Sequence, residues 1–529
     1  MTKTILLTTL NSTYQHSAFG LRYLFANLGP LQQQTQILEF TISQNPRDIA
    51  ENILLHKPKI IGFGIYIWNV HETQQVIEIL KSIAPEIIIV LGGPEVSHES
   101  ESQTIVQIAD HTIKGEADFL FPQLCQDLLS GTASIAKIIS QSLPEIKKIN
   151  LPYSYYTEED IKNRIIYVEA SRGCPYKCEY CLSSLDKSVR NFELNIFLQE
   201  MDLLITKGVR QFKFVDRTFN LSPTISTAIL KFFLEKAHLG LFLHFELVPD
   251  RLPDELKALI EQFPKGSLQF EIGIQTFNPQ VAANVSRRQD YKKIQENLIY
   301  LKEKTHVHTH VDLIIGLPGE TAESFAEGFN QLVELSPDEI QVGILKRLKG
   351  FPLARHDQKF EMAYDKQSPY QILKTKDLDF LEMQNLARFA KTWDLIANSG
   401  NFSLLMKTWK DYCRNHGISF FMALQSLNEF LYRRHAKNYG LSLMTQLESL
   451  YIYFSENKIT ADVVKLSEIL AMDYSFQKRR DLPFFLKKNL SVEFVEKIKQ
   501  SNIVRTNSID RNVPQRQQKH AIKNSSLDL

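Results

Sequence analysis

The chain has 529 residues, of which 43% are hydrophobic and 23% charged, and its formal net charge is +1. This length predicts about three domains, the composition is typical of a soluble globular protein, and the near-neutral charge argues against wholesale nucleic-acid binding. Five cysteines are too few for a disulfide framework, so we expect a reducing cytoplasm. No apolar run is long enough for a signal peptide or a membrane span.

The N-terminal part, residues 1–145, alternates short apolar runs with helical patterns. Helices are predicted around 49–55 and 70–83. The predicted strands are 4–10, 36–40, 60–65, 87–91 and 112–115. Apolar strands separated by helices are typical of a buried parallel sheet, so we predict a doubly wound, flavodoxin- or Rossmann-like sheet.

Small residues gather at the ends of these predicted strands. They are Gly62, Gly64, Gly92, Gly93 and Gly115, the last followed by Glu116. Ligands of doubly wound sheets bind outside the carboxyl ends of the strands, and glycine lets backbone approach a ligand closely. The alternative is that these glycines only make tight turns.

Periodicity fades between residues 129 and 156, which we interpret as a connecting region with a domain boundary near 150. A second alternation follows within 150–355, with strands predicted at 165–170, 211–215, 243–248, 268–274, 307–315 and 339–345. Six strands alternating with helices indicate a partial (β/α) barrel, in which catalytic groups sit at the carboxyl ends of strands.

The first of these strands leads directly into three closely spaced cysteines, Cys174, Cys178 and Cys181, in the pattern Cys-x3-Cys-x2-Cys. Thiolates in one loop can hold an iron–sulfur cluster. A cubane cluster has four irons, so three cysteines leave one iron open to a small molecule. The alternatives are a zinc site, which needs four closed ligands, or structural thiols.

This motif, with Tyr180 just before its last cysteine, resembles the radical SAM superfamily. The resemblance implies a [4Fe–4S] cluster whose open iron chelates S-adenosylmethionine. It also implies reductive cleavage of that cofactor to a 5′-deoxyadenosyl radical, which abstracts a hydrogen atom. The barrel is then expected to be of the radical SAM type.

The resemblance also suggests where S-adenosylmethionine is held, although it assigns no catalytic side chain. The candidate residues at or near strand ends are Tyr180, Asp216, Arg217, Glu271, Gln275, Asp312 and Gly316. The alternative for the charged ones is a structural ion pair, because charges inside a barrel must be paired or liganded.

Placed ahead of such a core, the N-terminal sheet resembles the cobalamin-binding domain of class B radical SAM enzymes. Gly92-Gly93-Pro94 and Gly115-Glu116 match segments that recur in that family, so the glycines and Glu116 are expected to bind cobalamin. The usual lower-ligand motif Asp-x-His-x-x-Gly is absent in strict form. His16, in the loop after the first strand, is the candidate cobalt ligand, or else an ordinary loop residue.

From 360 to 505 the pattern is helical, most clearly at 380–393 and 418–432, with aromatic stripes that we expect to form a core. This region resembles the extra domain of a subgroup of cobalamin-dependent radical SAM proteins of unassigned reaction. The last residues, 506–529, are polar and predicted to be disordered.

We therefore expect a cytoplasmic radical SAM enzyme that uses cobalamin to transfer a methyl group to an unactivated carbon. Its expected partners are a small-molecule or metabolite substrate and an electron donor such as flavodoxin or ferredoxin. A rearrangement or cyclisation, or a radical SAM enzyme that has lost cobalamin, remains open. A non-catalytic zinc-binding protein is the third alternative.

Overall fold

The computed structural model describes residues 3–132, 136–457, 462–475, 481–505 and 517. Its internal contacts divide the chain into two compact units. The first unit holds the described residues up to Thr218 together with Lys346–Asp357 and Ala363–Ile372, and the second unit holds the rest. The predicted tail, 506–529, lies outside the described residues except for Gln517.

The first unit is built on a six-stranded sheet in which every pairing is parallel. The strands are β1 (Ile5–Asn11), β2 (Thr35–Thr41), β3 (Ile60–Gly64), β4 (Ile88–Gly92), β5 (His111–Lys114) and β6 (Ile138–Ser140). Their order, β2-β1-β3-β4-β5-β6, contains the flavodoxin-like order 2-1-3-4-5. The prediction of a doubly wound sheet is confirmed.

Helices cover both faces of this sheet because successive strand residues point to opposite sides. The helices are α1 (Phe19–Ala26), α2 (Pro46–Leu55), α3 (Val70–Ile83), α4 (Thr104–Ile108) and α5 (Leu120–Ser130). Leu6 and Phe63 pack with α2 and α3 in one core, while Leu7 and Val90 pack with α1 and α5 in the other. Both faces are thus buried, which explains the continuous apolar runs.

One strand of this sheet was not predicted. The region 129–156 was expected to be a connection, yet β6 lies within it and pairs Ile139 with Ile113 of β5. Three residues are too short to show a period of two, so the pattern alone could not reveal this edge strand.

The remainder of the first unit carries the cysteine motif. Its elements are α6 (Glu158–Asn163), β7 (Ile166–Val168), β8 (Ser171–Arg172), β9 (Arg190–Asn191), α7 (Leu194–Thr206) and β10 (Gln211–Phe214). Thr157 and Asp160 form a capping box that starts α6. Strands β7 and β10 pair in parallel, as predicted for the first two barrel strands.

The second unit contains four further parallel strands, β11 (Phe242–Leu247), β12 (Leu268–Gln275), β13 (His308–Ile315) and β14 (Glu339–Ile344), paired in chain order. The helices among them are α8 (Pro223–Glu235), α9 (Asp254–Ile260), α10 (Pro279–Asn284), α11 (Tyr291–Lys304) and α12 (Ala322–Leu335). On β12, Phe270 and Ile272 are buried, while Glu271 and Gln275 share the opposite, less buried face.

Two short strands, β15 (Ala363–Tyr364) and β16 (Ile372–Lys374), precede a run of helices. These are α13 (Phe380–Trp393), α14 (Ser403–Asn415), α15 (Phe420–His435), α16 (Leu443–Glu456), α17 (Val463–Ser475), α18 (Phe484–Lys487) and α19 (Val492–Arg505). Phe389 lies at 4.6 Å from Phe421, and Trp409 at 5.0 Å from Phe420, between ring centroids. The predicted helical region with an aromatic core is confirmed.

Within the described ranges, no helix combines the length and the apolar character that a membrane span requires.

Candidate cofactor sites

The three motif cysteines lie in a loop that β8 and β9 close at its base by pairing Arg172 with Arg190. Cys174 and Cys178 are buried, Cys181 is partly buried, and all three are free thiols. The N–H of Cys174 donates to the carbonyl of Asp186 at 2.9 Å, which closes the loop further. Gly173 has φ +89°, and a Cβ there would collide with the Ser188 carbonyl. Only glycine fits immediately before the first cysteine.

The Cys174 thiol is influenced electrostatically by the groups around it. Burial raises the pKa of the Cys174 thiol, and Cys181 and Cys178 raise it further, whereas the positive charge of Arg217 lowers it. The structure therefore brings the three thiols and Arg217 into one neighbourhood. Among the residues that can be described, no group of three or more His, Cys, Asp or Glu side chains is arranged to hold a metal ion.

A cavity of about 520 Å³ opens at the carboxyl edge of the first unit's sheet. It is lined by all of the glycines predicted from sequence, Gly62, Gly64, Gly92, Gly93 and Gly115, together with Glu116. Apolar side chains from α1, β4 and α5, including Leu21, Val90 and Phe121, complete its walls. The strand order reverses between β1 and β3, where such sheets bind ligands.

The glycines shape this cavity in two different ways. Gly93 has φ +105°, and a Cβ there would lie 2.5 Å from the Ile65 carbonyl oxygen, so the backbone turn itself requires glycine. At Gly92 a Cβ would meet only the Ile113 carbonyl, at 4.0 Å, and at Gly115 it would meet nothing within 4 Å. A side chain at Gly92 would therefore occupy the cavity without straining the fold.

His16, the candidate cobalt ligand, does not line this cavity. Its Nδ1 lies 2.5 Å from the Tyr167 hydroxyl, and its backbone bridges to Ile165. The Asn11 side-chain amide also donates to the His16 carbonyl at 2.9 Å. This placement favours the alternative of a loop residue satisfied within the protein.

A partly buried ion-pair network joins the cavity wall to the cysteine loop. Arg172, two residues before Cys174, donates to Glu116 and Glu169 at 2.8 Å each and to Asp118 at 3.0 Å. Its guanidinium also lies 4.4 Å from the centre of the Tyr23 ring. Sequence reasoning did not foresee this arrangement, because the four charged residues come from two segments about fifty residues apart, Glu116–Asp118 and Glu169–Arg172. Burial raises the pKa of Glu169, which the charge of Arg172 opposes.

Asp216 lies just beyond β10, as predicted, but its carboxylate is already used by the protein. The N–H of Ala170 donates to Oδ2 at 3.0 Å, and the Ser171 hydroxyl donates to Oδ1 at 2.6 Å. Burial raises the pKa of Asp216 to about 7. Asp216 therefore fixes the entry to the cysteine loop, which favours a structural role over direct contact with a ligand.

Of the other candidate residues for S-adenosylmethionine, Tyr180 and Arg217 lie in the first unit, and the remaining four lie in the second unit. Glu271 of β12 accepts a hydrogen bond from His244 of β11 at 2.8 Å. On β13, Asp312 lies 3.8 Å from His310, whose pKa is lowered by burial. Gln275, at a bulge that ends β12, has φ +76°, and Gly316, just after β13, has φ +88°. The structure thus places these residues on neighbouring strands, on a face that carries histidines and carboxylates.

Three family profiles match successive parts of the chain. Residues 5–124 match the B12 binding domain, residues 168–332 the radical SAM superfamily, and residues 358–528 a family described as protein of unknown function (DUF4080).

Among curated proteins, the chain is 24% identical over 348 residues to the cobalamin-dependent radical SAM methyltransferase TokK of Streptomyces tokunonensis, covering 56% of this chain and 48% of TokK. It is 23% identical over 333 residues to 2-(S-pantetheinyl)-carbapenam-3-carboxylate methyltransferase of Streptantibioticus cattleyicolor, covering 53% of this chain and 46% of that enzyme. The chain thus spans about half the length of these relatives.

Solved structures show the same fold. The cobalamin-dependent S-adenosylmethionine radical enzyme OxsB, with aqua-cobalamin and S-adenosylmethionine bound, aligns with TM-score 0.57 and 11% identity over 98% of this chain and 83% of OxsB. The radical S-adenosylmethionine methyltransferase TsrM of Kitasatospora setae aligns with TM-score 0.56 and 15% identity over 72% of this chain and 80% of TsrM.

The cysteine loop and the profile that spans it define a radical SAM protein. With the B12 binding domain matched ahead of that core, the chain combines the two domains that define cobalamin-binding radical SAM proteins. Its cofactors are a [4Fe–4S] cluster, S-adenosylmethionine and cobalamin.

The residues present fit these groups. Cys174, Cys178 and Cys181 form a donor set of three free thiols in one loop, which is the donor type that iron–sulfur clusters take. The glycine-edged cavity leaves open space next to Gly92 and Gly115, where any larger residue would intrude. Its largely apolar lining suits an aromatic group.

Proposed function

We propose that this protein is a cobalamin-dependent radical SAM methyltransferase that methylates an unactivated carbon of a small-molecule substrate. The observation that carries the proposal is the sharing of one compact unit by the cysteine loop and the glycine-edged cavity. When bound, the cluster, S-adenosylmethionine and cobalamin supply the radical and the methyl group. The protein supplies their placement.

Each part of the first unit has a role in that placement. The cysteine loop holds the cluster, and Asp216 fixes the start of that loop through Ala170 and Ser171. The cavity would receive the corrinoid, and its largely apolar lining would suit the aromatic dimethylbenzimidazole. Arg172 joins the two through Glu116 and Glu169, both of which line the cavity.

In the second unit, we propose that Glu271, Gln275, Asp312 and Gly316 contact S-adenosylmethionine. Carboxylates can accept hydrogen bonds from its ammonium and ribose hydroxyls, and such charge-assisted bonds are the strong ones. The positive φ of Gly316 turns the backbone directly after β13, at the end of the sheet where ligands of such barrels bind.

The remaining features of the proposal concern the setting in which the enzyme acts. All five cysteines are free, which fits a reducing cytoplasm. Reductive cleavage of S-adenosylmethionine needs one electron from outside, for which flavodoxin or ferredoxin is the proposed donor. Rearrangement and cyclisation are distinguished from methylation by the mass of the product.

A corrinoid titration tests the proposal without knowledge of the substrate. Anaerobic protein mixed with hydroxocobalamin should bind one equivalent and give the absorption spectrum of the base-off form. A bound corrinoid with an unchanged base-on spectrum would contradict the proposed use of the cavity. Failure to bind any corrinoid would reject the cobalamin-dependent function.

A further inference from the structure

Two short segments beyond the barrel strands, Lys346–Asp357 and Ala363–Ile372, belong to the first unit although they lie more than a hundred residues further along the chain. We call them together the strap. Lys346 bridges antiparallel to Gln371, and the Arg347 N–H donates to the Tyr370 carbonyl at 3.0 Å. These bonds make the two segments one connected piece.

One end of the strap contacts the loop that follows β4. The Tyr370 hydroxyl donates to Oε1 of Glu95 at 2.6 Å, and the Lys349 ammonium lies 3.4 Å from the same oxygen. The Glu95 side chain is 3% exposed, so its charge depends on these two partners. Gly350, at φ +83°, packs against His98 with no room for a Cβ.

This loop also forms the edge of the cofactor cavity. Glu95 follows Gly93 and Pro94, both of which line the cavity. The Ser97 hydroxyl donates to the Gly93 carbonyl at 2.8 Å and accepts from the Gly115 N–H at 3.1 Å. The strap therefore acts on a loop whose position sets the shape of the cavity mouth.

The other end of the strap contacts the cysteine loop. Arg355 donates two hydrogen bonds to Glu179, from Nε to Oε2 at 2.8 Å and from Nη2 to Oε1 at 2.6 Å. His356 Nε2 lies 3.0 Å from Oε2 of the same carboxylate. Glu179 lies between Cys178 and Cys181 and is buried. Such a fork fixes both the position and the orientation of a carboxylate.

We propose that the strap is a positioning element with Tyr370 and Arg355 as its two anchoring residues. It holds the loop that follows β4, which we call the cavity loop, and the cysteine loop in one arrangement. A substitution at either anchoring residue then changes the conformational stability of both loops. Binding of a ligand in the cavity is therefore coupled to the conformation of the cysteine loop. This coupling is reciprocal, because thermodynamic linkage requires two binding sites to change each other's affinity by the same factor. The proposal rests on the proposed function for the identity of the cofactors. That the strap restrains both loops can be tested without any cofactor.

Hydrogen exchange of the full-length protein, measured before any cofactor is added, tests directly whether the strap restrains both loops. Tyr370→Phe removes one hydroxyl at the cavity end, and Arg355→Lys removes the fork at the cysteine end. Each variant should raise exchange roughly tenfold in both peptides, 93–99 and 176–183, as expected for losing about one hydrogen bond to a charged group. If each variant loosens only its own peptide, the proposed coupling is wrong.

A matched control is available in the second unit. Arg414 makes a similar two-nitrogen contact with Glu334, at 3.0 and 2.9 Å, on an exposed surface. Arg414→Lys should leave exchange in both peptides at the wild-type level. Equal loosening by this control would show a general loss of stability and would overturn the assignment of Arg355.

A second readout follows the cofactors. After cluster reconstitution, wild-type protein should bind hydroxocobalamin several-fold more tightly than protein without the cluster. The ratio of the hydroxocobalamin affinities with and without the cluster should fall towards one in both Tyr370→Phe and Arg355→Lys. An affinity ratio that stays at the wild-type value in both variants would contradict the proposal. If wild-type protein binds no corrinoid at all, the proposed function is rejected, and the hydrogen-exchange result alone decides whether the strap restrains the loops.

Discussion

At the scale of single residues, Asp216 shows how a position predicted from sequence can have partners within the protein that the sequence does not reveal. Its place at the end of a strand suggested a contact with S-adenosylmethionine, but both carboxylate oxygens accept hydrogen bonds from the start of the cysteine loop. The sequence places the carboxylate correctly. It cannot show that Ala170 and Ser171, 45 or more residues away, supply its donors.

We predict that Asp216→Asn changes the pH dependence of stability. A carboxyl whose pKa is raised from 3.8 to about 7 binds more protons in the folded state. Wild-type stability therefore falls as pH rises between those values, by up to about 1.4 kcal/mol per pH unit. The neutral variant does not lose stability in this way. The melting temperature of Asp216→Asn relative to that of wild type should therefore rise between pH 5 and 7.

Two outcomes would contradict this account of Asp216. Parallel melting profiles of the two proteins across pH 5 to 8 would show that the pKa of the Asp216 carboxyl is not raised in the folded protein. Much weaker binding of S-adenosylmethionine by a variant of wild-type stability would restore the direct contact that the sequence suggested.

For His16 we predict no bond to cobalt. Its ring lies against the Tyr167 hydroxyl and outside the cavity lining. The Co(II) resonance spectrum of the corrinoid-loaded protein should therefore show no nitrogen coupling from a histidine, and His16→Ala should leave it unchanged. Nitrogen coupling that His16→Ala abolishes would show that the loop rearranges to supply a ligand.

At the scale of elements, the glycines at the ends of β3, β4 and β5 make the clearest prediction. Gly92→Val adds a side chain whose Cβ would meet only the Ile113 carbonyl, at an ordinary contact distance of 4.0 Å, and which projects into the cavity. We expect normal cluster content and melting temperature, with hydroxocobalamin affinity reduced roughly tenfold or more, since overpacking costs about 1–3 kcal/mol.

Gly343→Val is the matched control, because Gly343 lies on β14 of the second unit and a Cβ there would meet only the Leu313 carbonyl at 3.6 Å. That variant should bind hydroxocobalamin as wild type does. Unchanged affinity in Gly92→Val would place the corrinoid elsewhere.

Elements with strong periodicity were predictable, and short or nonlocal ones were not. The helix Phe380–Trp393 has the predicted bounds, because its apolar residues recur at helical spacing and a capping box of Asp379 and Glu382 starts it. Strand β6 has three residues and no period. The strap is invisible in sequence, because Tyr370 and Glu95 are separated by 275 positions.

At the scale of the whole molecule, linear order and compact units differ. Sequence patterns predict boundaries near residues 150 and 355, whereas contacts join the cysteine loop and the strap to the cobalamin-binding sheet. The profile matches at 5–124, 168–332 and 358–528 follow the linear order. Cofactor sites built from distant segments therefore cannot be assembled from one sequence, although the cofactors themselves can be inferred from local motifs.

The measurement that tests the central claim most directly is the fate of S-adenosylmethionine in anaerobic, reduced protein loaded with cluster and hydroxocobalamin. Transfer of its methyl group leaves S-adenosylhomocysteine, and reductive cleavage leaves 5′-deoxyadenosine. We predict both products from wild type, S-adenosylhomocysteine only when the corrinoid is bound, and no 5′-deoxyadenosine from Cys178→Ala, since a missing thiolate removes a cluster ligand. Full 5′-deoxyadenosine production by Cys178→Ala, or neither product from wild type, would contradict the account.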